Sequence, residues 1–336
     1  MQRLKIILPL LLLPLLAMAN LIWGSVDLPL ADMLGAFGGG AAENDLATFI
    51  VWQSRFPQMT TALLSGCALA LSGLVMQTVF ANPLADPSIL GVSSGAGLGA
   101  AIAMLLLGGS WATGNFVLTG YLLTVSAAFA GAMLVIFLLL ACSALLRNNL
   151  LLLVTGVMIS FATSSIVSLL SFFSTAEGVH SYVIWGLGDF SGVTLQRLPA
   201  FSLIIVPSLI AIMLMSKPLN ALLLGRDYAS NLGINVSRVR TTLLFLTGLL
   251  TATVTALCGP ISFLGLAVPH IARLTLRTAN HRLLLPMTLV WGGNIALFCN
   301  LLVHLPGDRG LLPLNAITSL LGVPVVLYIL FRRRVF

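Results

Sequence analysis

The side chains that could bind a metal or act as nucleophiles are few and widely spaced in this chain. Four histidines and four cysteines occur among 336 residues, and they form no CxxC pair, no HExxH motif and no zinc-ligand spacing. The only lysines, Lys5 and Lys217, do not follow glycine, so the sequence lacks the Gly-Lys pair of a phosphate-binding P-loop. We therefore expect that the chain is not an enzyme and binds no metal or cofactor itself.

Charged residues are confined to the gaps between long apolar runs. They make up 7% of the chain, whereas hydrophobic residues make up 59%, and residues 87–146 and 241–269 contain no charge at all. Because burying a charge in hydrocarbon costs several kcal/mol, this distribution is typical of a polytopic membrane protein. The apolar runs do not alternate as the strands of a membrane barrel would. The sequence thus predicts an all-α membrane protein.

A helix needs about 20 apolar residues to cross a bilayer. On that basis the sequence predicts one transmembrane domain over residues 1–336, with about ten transmembrane helices. The eighth span is the weakest, since Pro269, His270, Arg273 and Arg277 interrupt it. The predicted spans are residues 5–23, 58–80, 92–108, 117–141, 149–173, 197–216, 240–258, 266–279, 284–302 and 314–331.

The distribution of charge predicts the orientation of these spans. With the N-terminus inside, 13 of the 16 basic residues fall in cytoplasmic segments, and only Arg55, Arg197 and Arg309 fall outside. This agrees with the positive-inside rule and places both termini in the cytoplasm. The net charge of +7 then reflects topology, so we expect a lipid bilayer around the chain and no nucleic-acid partner. Residues 17–19, Ala-Met-Ala, leave open a cleaved signal peptide and nine spans, although the run 6–23 is long for a signal core and favours a retained helix.

Four connecting segments are long enough to have structure of their own, and one of them, residues 81–94, lies inside. Residues 28–55 are Gly-rich and predict a flexible outer loop. Residues 175–198 lie outside and include the five-residue run 182–186, which is too short to span and predicts a re-entrant or interfacial helix. Residues 219–240 lie inside, with apolar residues at helical spacing from Ala221 to Leu232 and Gly233 placed as a C-terminal cap. Such a helix is suited to docking a soluble partner, and the alternative is that it only packs under its own bundle.

Three motif segments, taken together, resemble one family. The first runs from Gly66 through Gln77 to the string Asn82-Pro-Leu-Ala-Asp-Pro-Ser-Ile-Leu-Gly91, and continues to Ala96. The second is Gly259-Pro-Ile-Ser-Phe-Leu-Gly265 with Pro269-His270 and Arg273, and the third is Gly322-Val-Pro. In this order they resemble the permease subunit of type II ABC importers, which take up ferric siderophores, haem or vitamin B12. The resemblance covers nearly the whole chain.

The resemblance implies an assembly in the bacterial inner membrane. Two copies of the permease would form a homodimer with the translocation path between them, and two ABC ATPase subunits, which hold the ATP and Mg, would dock inside. An extracytoplasmic substrate-binding protein would dock outside, where Arg55 and Arg309 are the candidate contacts. The implied ATPase-docking residues are Leu224, Gly225, Arg226, Asp227, Tyr228, Ala229, Leu232 and Gly233.

A further set of motif residues is expected to line the translocation path or to pack its helices. It comprises Gln77, Asn82, Pro83, Asp86, Pro87, Gly91, Ser93, Gly95, Gly259, Pro260, Gly265, Pro269 and His270. The chain departs from the family pattern in three places. Arg226-Asp227 replaces the usual acidic pair, Gln58 replaces an arginine, and residues 311–315 lack the usual acid and glycine.

The function that follows is ATP-driven import of one bulky metal chelate by alternating access. We expect a charge-poor path lined by spans near residues 61–81, 155–172 and 291–302. A ferric siderophore or haem is the favoured cargo and vitamin B12 the alternative, while a non-coupled channel or structural membrane protein is a remote one. The mid-membrane runs contain no Asp, Glu or Lys, which argues against an ion-coupled carrier.

Overall fold

The computed structural model describes residues 2–24, 26, 28–29, 32, 35, 45–113, 116–145, 149–305 and 310–331. Within these ranges the chain is almost entirely helical, and its strands are the two four-residue arms of one antiparallel hairpin, β1 (Ser110–Thr113) and β2 (Phe116–Thr119). The predicted all-α class is confirmed. The helices are α1 (Gln2–Ile22), α2 (Asp45–Ile50), α3 (Phe56–Val79), α4 (Val92–Ala101), α5 (Gly120–Leu145), α6 (Asn149–Phe173), α7 (Ala176–Gly186), α8 (Leu198–Leu214), α9 (Ser216–Leu223), α10 (Arg226–Asn231), α11 (Val236–Cys258), α12 (Leu264–Leu276), α13 (His281–Val303) and α14 (Leu314–Phe331).

Two helices continue through π-helical turns. Val51–Arg55 joins α2 to α3, and Ile102–Leu106 extends α4. The helical run from α2 to α3 corrects one prediction, because residues 45–55 were expected to belong to a flexible loop.

Six helices of the described chain are long and apolar enough to cross a membrane, namely α1, the run from α2 to α3, α5, α6, α11 and α13. The pair α8 and α9 passes the same test together but is bent by 53°. Three shorter apolar helices lie at Val92–Leu106, Leu264–Leu276 and Leu314–Tyr328. These ten units match the predicted spans in order. Since three of them are shorter than a full crossing, the count of ten stays a prediction.

Helix α3 is the centre of the bundle. The span that contains it is 78% buried, and it packs against α11, α12 and α13. Close approach depends on glycine, since a Cβ atom on Gly66 would overlap the carbonyl of Gly292 in α13, and one on Gly73 would overlap the carbonyl of Gly265 in α12. Small residues at helix crossings are a common means of tight packing in membranes. The core therefore lies along α3 and includes one face of α5, on which Ala128, Ala132 and Val135 are buried, whereas α6 is only 17% buried.

Helix α1 is held in the bundle by buried amides of α13. Asn294 Nδ2 donates to the Pro9 carbonyl at 2.8 Å, and Asn300 Nδ2 donates to Asn20 Oδ1 at 2.8 Å. Asn20 Nδ2 in turn donates to the Leu297 carbonyl at 3.1 Å. Buried polar groups are costly to leave unpaired, so loss of α1 would expose α13 to that cost. These contacts fix the first predicted span to α13.

Two connecting segments differ from their predictions. The single helix expected from Ala221 to Leu232 is instead two, because α9 ends at Leu223 and Gly225 adopts a φ of 104° before α10 begins. Gly233 has a φ of 80° and its N–H donates to the Ser230 carbonyl, as the predicted C-terminal cap requires. In the segment 175–198, helix α7 has 11 residues, more than the five that were expected to be helical.

Candidate functional site

The loop after α3, residues 80–91, is here called the motif loop, and its own side chains shape it. Asn82 Oδ1 accepts from the Leu84 N–H at 3.0 Å, and Asp86 Oδ1 accepts from the Ser88 N–H at 2.8 Å and the Ser88 hydroxyl at 2.5 Å. Short side chains that bond two residues ahead stabilise turns. Pro83 and Pro87 prevent the helix from continuing. The motif string from Asn82 to Gly91 therefore stabilises the conformation of this loop.

The motif loop is fixed to α12 by the second motif segment. His270 Nε2 lies 2.9 Å from the Pro83 carbonyl, Arg273 Nη1 donates to Gln77 Oε1 at 2.5 Å, and Gln77 Nε2 donates to the Leu266 carbonyl at 3.3 Å. The structure thus brings together two motif segments whose contacting residues are 187 to 196 positions apart in the sequence. We call this cluster of Gln77, Pro83, Asp86, Gly265, His270 and Arg273 the motif junction.

Asp86 is the acidic member of this junction. It is 8% exposed, and its carboxylate lies directly against the α-carbon of Gly265, where a Cβ atom would overlap Oδ2. Burial raises the pKa of the Asp86 carboxyl, while the hydrogen bonds from Ser88 act in the opposite direction. The carboxyl therefore serves packing and turn geometry in the described chain.

The third motif segment and the remaining motif glycines also support packing. Gly322 of α14 lies against the side chain of Phe263, where a Cβ atom would overlap the ring. Gly91 has a φ of 84°, and Gly95 leaves no room for a side chain beside Gly131 of α5. Gly259 has a φ of 74° and ends α11 against the carbonyl of Trp185, while the Asp189 N–H donates to the Cys258 carbonyl at 2.8 Å. Pro269 lies inside α12, which is only 13 residues long.

Two clefts lie along the surface of α6, with volumes of about 430 and about 390 Å³. They share Ser94 and Ser164, so they form one trough. One end is lined by Ser88 and Ile89 of the motif loop, on the predicted inner side. The other end is lined by α7 and Pro260, on the predicted outer side. The described residues that line the trough carry no charged side chain.

The walls of the trough are polar on one side and aromatic on the other. Hydroxyls come from Ser93, Ser94, Thr163 and Ser164, and Ser93 Oγ lies 3.5 Å from Thr255 Oγ1. On α7 the rings of Tyr182 and Trp185 stack with centroids 6.1 Å apart and an interplanar angle of 27°. Of the three spans expected to line the translocation path, the one near residues 155–172 lines this trough. Segments 61–81 and 291–302 belong to α3 and α13, which pack against each other in the core, and their part in the path stays a prediction.

The predicted docking residues form an exposed loop, residues 224–233, here called the docking loop. Leu224, Tyr228 and Leu232 are 64%, 51% and 59% exposed, and Arg226 and Asp227 are exposed beside them. Ala229 is fully buried and holds α10 against the bundle. Gly225 and Gly233, both at positive φ, bound the short helix. The loop therefore presents apolar side chains and one charge of each sign.

Arg55 does not present an outer charge in this structure. Its side chain is 4% exposed, and Nη1 donates to the carbonyls of Leu21 and Ile22 at 2.8 and 2.6 Å while Nη2 donates to that of Val26 at 2.5 Å. The guanidinium thus terminates α1 rather than facing a docking partner, which argues against the predicted contact with a binding protein. The other candidate, Arg309, lies outside the described residues.

Sequence reasoning missed one polar cluster, in which Asn220 of α9 contacts the first residues of α13. Nothing in residue type or spacing linked these positions, which are about 60 residues apart. The hydroxyl face of α6 had a visible signal, since Ser or Thr recurs at 155, 160, 163, 164, 165, 168 and 171.

The sequence is similar to vitamin B12 import system permeases named BtuC. It is 37% identical to that of Klebsiella pneumoniae over 284 residues, covering 84% of this chain and 83% of the relative. It is 36% identical to that of Escherichia coli O9:H4 over 287 residues, covering 84% of each chain. The relative from Salmonella typhi is 37% identical over 282 residues, covering 84% of this chain and 83% of the relative.

The fold is also similar to a solved structure and to a family model. An inward-facing structure assigned to the metal-chelate type of ABC transporter superposes with a TM-score of 0.83 at 28% identity, covering 96% of this chain and 97% of the other. The model of the FecCD transport family matches residues 11–332. The chain therefore belongs to the FecCD transport family and is a membrane permease of an ABC importer.

Proposed function

We propose that the chain is the membrane subunit of an ATP-driven importer that moves a metal chelate, with vitamin B12 as its first candidate cargo. The observation that carries this is the charge-free trough that runs from the motif loop to α7. The relatives named above favour the cargo that the sequence alone had placed second. Ferric siderophore and haem remain the competing cargoes.

The trough is suited to a bulky, weakly held cargo. Its polar groups are hydroxyls on α4 and α6, which can exchange hydrogen bonds with water or with a passing ligand without the desolvation cost of a buried charge. The half-buried rings of Tyr182 and Trp185 add flat apolar surface at the outer end. Aromatic faces stack well on other conjugated rings, which favours a macrocycle such as a corrin or a porphyrin over a non-planar ferric siderophore.

A second copy of the permease would complete the path. Helix α6 is the least covered of the long helices, and its window is only 17% buried, with Met158, Phe161 and Leu169 exposed beside the hydroxyls. A homodimer that places two such faces opposite each other would enclose the two troughs as one passage. Symmetric pairing of the same surface on each subunit is the usual arrangement of a dimer.

The docking loop supplies the contact for the ATPase. Exposed leucines and a tyrosine at the tip of a short helix are apolar anchors of the kind found at the centre of protein interfaces. Arg226 and Asp227 beside them can select between partners by charge. We propose that ATP and Mg bind to that partner rather than to this chain. We infer that the assembly resides in the bacterial inner membrane with both termini in the cytoplasm.

The test is uptake of labelled cobalamin, haem and a ferric hydroxamate in cells with and without this chain. Loss of cobalamin uptake alone supports the proposal. Loss of haem or ferric hydroxamate uptake alone keeps the importer but overturns the cargo. Unchanged uptake of all three would contradict the assignment as a metal-chelate importer.

A further inference from the structure

A polar cluster connects the root of the docking loop to the core helices. Its inner members, His281 and Thr78, are buried, whereas Asn220 is half-buried and Asn280 is exposed. Asn220 lies in the last turn of α9, four residues before Leu224. Its Oδ1 accepts from the backbone N–H of His281 at 2.7 Å, and its Nδ2 donates to Asn280 Oδ1 at 2.9 Å. Asn280 Oδ1 in turn caps α13 by accepting from the Arg282 N–H at 3.0 Å. Asn220 is therefore a second cap of α13, supplied by another helix.

The cluster extends from α13 to α3 through His281, which is 1% exposed. Its Nδ1 lies 3.1 Å from Asn220 Oδ1, and its Nε2 lies 2.8 Å from the hydroxyl of Thr78. When the ring proton is on Nδ1, Nδ1 donates to Asn220 Oδ1 and Nε2 accepts from the Thr78 hydroxyl, whose single proton is then withdrawn from the Leu74 carbonyl 3.0 Å away. A single imidazole thus bridges α9 and α3.

Thr78 is near the point where α3 passes into the motif loop. Val79 ends α3, and the loop that follows supplies Ser88 and Ile89 to the inner end of the trough. Hydrogen bonds therefore run from α9, at the root of the docking loop, through Asn220 and His281 to Thr78, and the backbone continues from Thr78 through the motif loop to the trough. The buried end of such a network is rigid when its members are satisfied.

The position of α9 makes it suited to transmit a displacement. Helix α9 is bent by 53° from α8, and its Leu219 is fully buried, so it is a short, packed element between the docking loop and the bundle. Among the hydrogen bonds of the described residues, α9 is joined to the start of α13 through Asn220.

We propose that Asn220 is a positioning residue that couples movement of the docking loop to the inner end of the trough, through His281 and Thr78. This inference rests on the proposed function, because it assumes that an ATPase acts on the docking loop. Without this link the ATPase would still bind and hydrolyse ATP, but fewer cargo molecules would be transported for each ATP hydrolysed.

The experiment compares Asn220→Ala with Asn235→Ala in the purified complex of permease and ATPase, reconstituted in vesicles with cobalamin-loaded binding protein. Asn235 is the matched control, because its side chain caps the neighbouring α11 through the Arg238 N–H at 3.0 Å and makes no contact with α13 in the described hydrogen bonds. Cobalamin uptake, ATP hydrolysis and the yield of complex are measured together. Thr78→Val tests the other end of the cluster.

We expect Asn220→Ala to lower the cobalamin moved per ATP about fivefold or more, the range of ordinary coupling between sites, with hydrolysis and yield near those of Asn235→Ala. Thr78→Val should lower the same ratio. An unchanged ratio in Asn220→Ala, or an equal fall in uptake and hydrolysis, would overturn the inference in favour of a purely structural cap. Failure of the proposed function is distinguishable, since the unaltered complex would then show no ATP-dependent uptake.

Discussion

The motif junction and the trough differ in the kind of side chain that forms them and in how tightly those side chains are packed. In the junction, Asp86, His270 and Arg273 are fixed by specific bonds, and glycines leave no space between helices. In the trough, small hydroxyl side chains line open space, and several of them bond only to the backbone of their own helix, as Ser160 and Thr163 do. The junction therefore depends on the identity of single residues, whereas the trough depends on size and the absence of charge.

This difference explains what the family motifs report. They mark positions where the fold tolerates one residue type, so they identify the architecture. They do not contact the trough except at Ser88, Ile89, Ser93, Ser94 and Pro260. A cargo that is weakly held by hydroxyl groups does not require particular residues at particular positions. The motifs therefore do not distinguish a siderophore, haem or vitamin B12 as the cargo.

The largest effect should come from breaking the junction at its closest approach. Gly73→Ala would place a methyl group on the carbonyl of Gly265, and because that atom is backbone, α3 and α12 must separate. Overpacking of this kind costs about 1–3 kcal/mol or more. We expect the protein to be largely lost from membranes, as measured by quantitative immunoblotting and thermal unfolding in detergent.

Gly186→Ala is the matched control for that change. Gly186 ends α7, and a Cβ atom there would have no neighbour within 4 Å. The same added methyl should leave protein abundance unchanged. Equal abundance of the two variants would show that the junction is looser than described.

The second largest effect should come from changes in the docking loop. This loop is exposed, as the trough is, but its contact with a partner depends on the identity of single residues, as in the junction. Asp227→Lys combined with Tyr228→Ala removes the acid and the aromatic anchor without touching a buried residue. Loss of an anchor at an interface centre costs about 2 kcal/mol or more. We expect co-purification with the ATPase and ATP-driven uptake to fall at least tenfold at normal abundance. Retained co-purification would place the ATPase contact elsewhere.

The sequence predicted the helical segments of the fold well, but it did not predict several of the contacts between them. The helical segments were predictable because apolar runs in a bilayer have one solution, and the juxtaposition of Gln77 with Arg273 was anticipated only as shared motif membership. The break at Gly225 was missed because the apolar spacing from Ala221 to Leu232 continues across it. The burial of Arg55 could not be foreseen, because its partners are backbone carbonyls of α1, which leave no trace in sequence spacing.

A bulky residue in the trough should impair transport without impairing the fold. Ser164 lines both clefts, so Ser164→Trp would fill the trough where they meet. Ser165→Trp places the same ring one residue further along α6, about 100° around the helix and away from the described lining. We expect cobalamin uptake to fall about tenfold for Ser164→Trp only, with similar abundance of both variants. The tenfold figure corresponds to about 1.4 kcal/mol on the transport barrier. Equal uptake by the two variants would exclude this face as the path.

The smallest effect on transport should come from substituting Arg55. The sequence predicted this residue at the outer surface, whereas its side chain is buried in the structure. Its guanidinium bonds three carbonyls at the end of α1, and hydrogen bonds to a charged group contribute about 1.5–3 kcal/mol. We expect Arg55→Ala to lower thermal stability while the uptake that remains per folded molecule, and its dependence on salt, stay close to those of the unaltered protein. A docking contact would behave differently, because an exposed charge pair weakens with ionic strength. Uptake that loses its salt dependence in Arg55→Ala, at unchanged stability, would restore Arg55 to the docking surface and remove it from the packed end of α1.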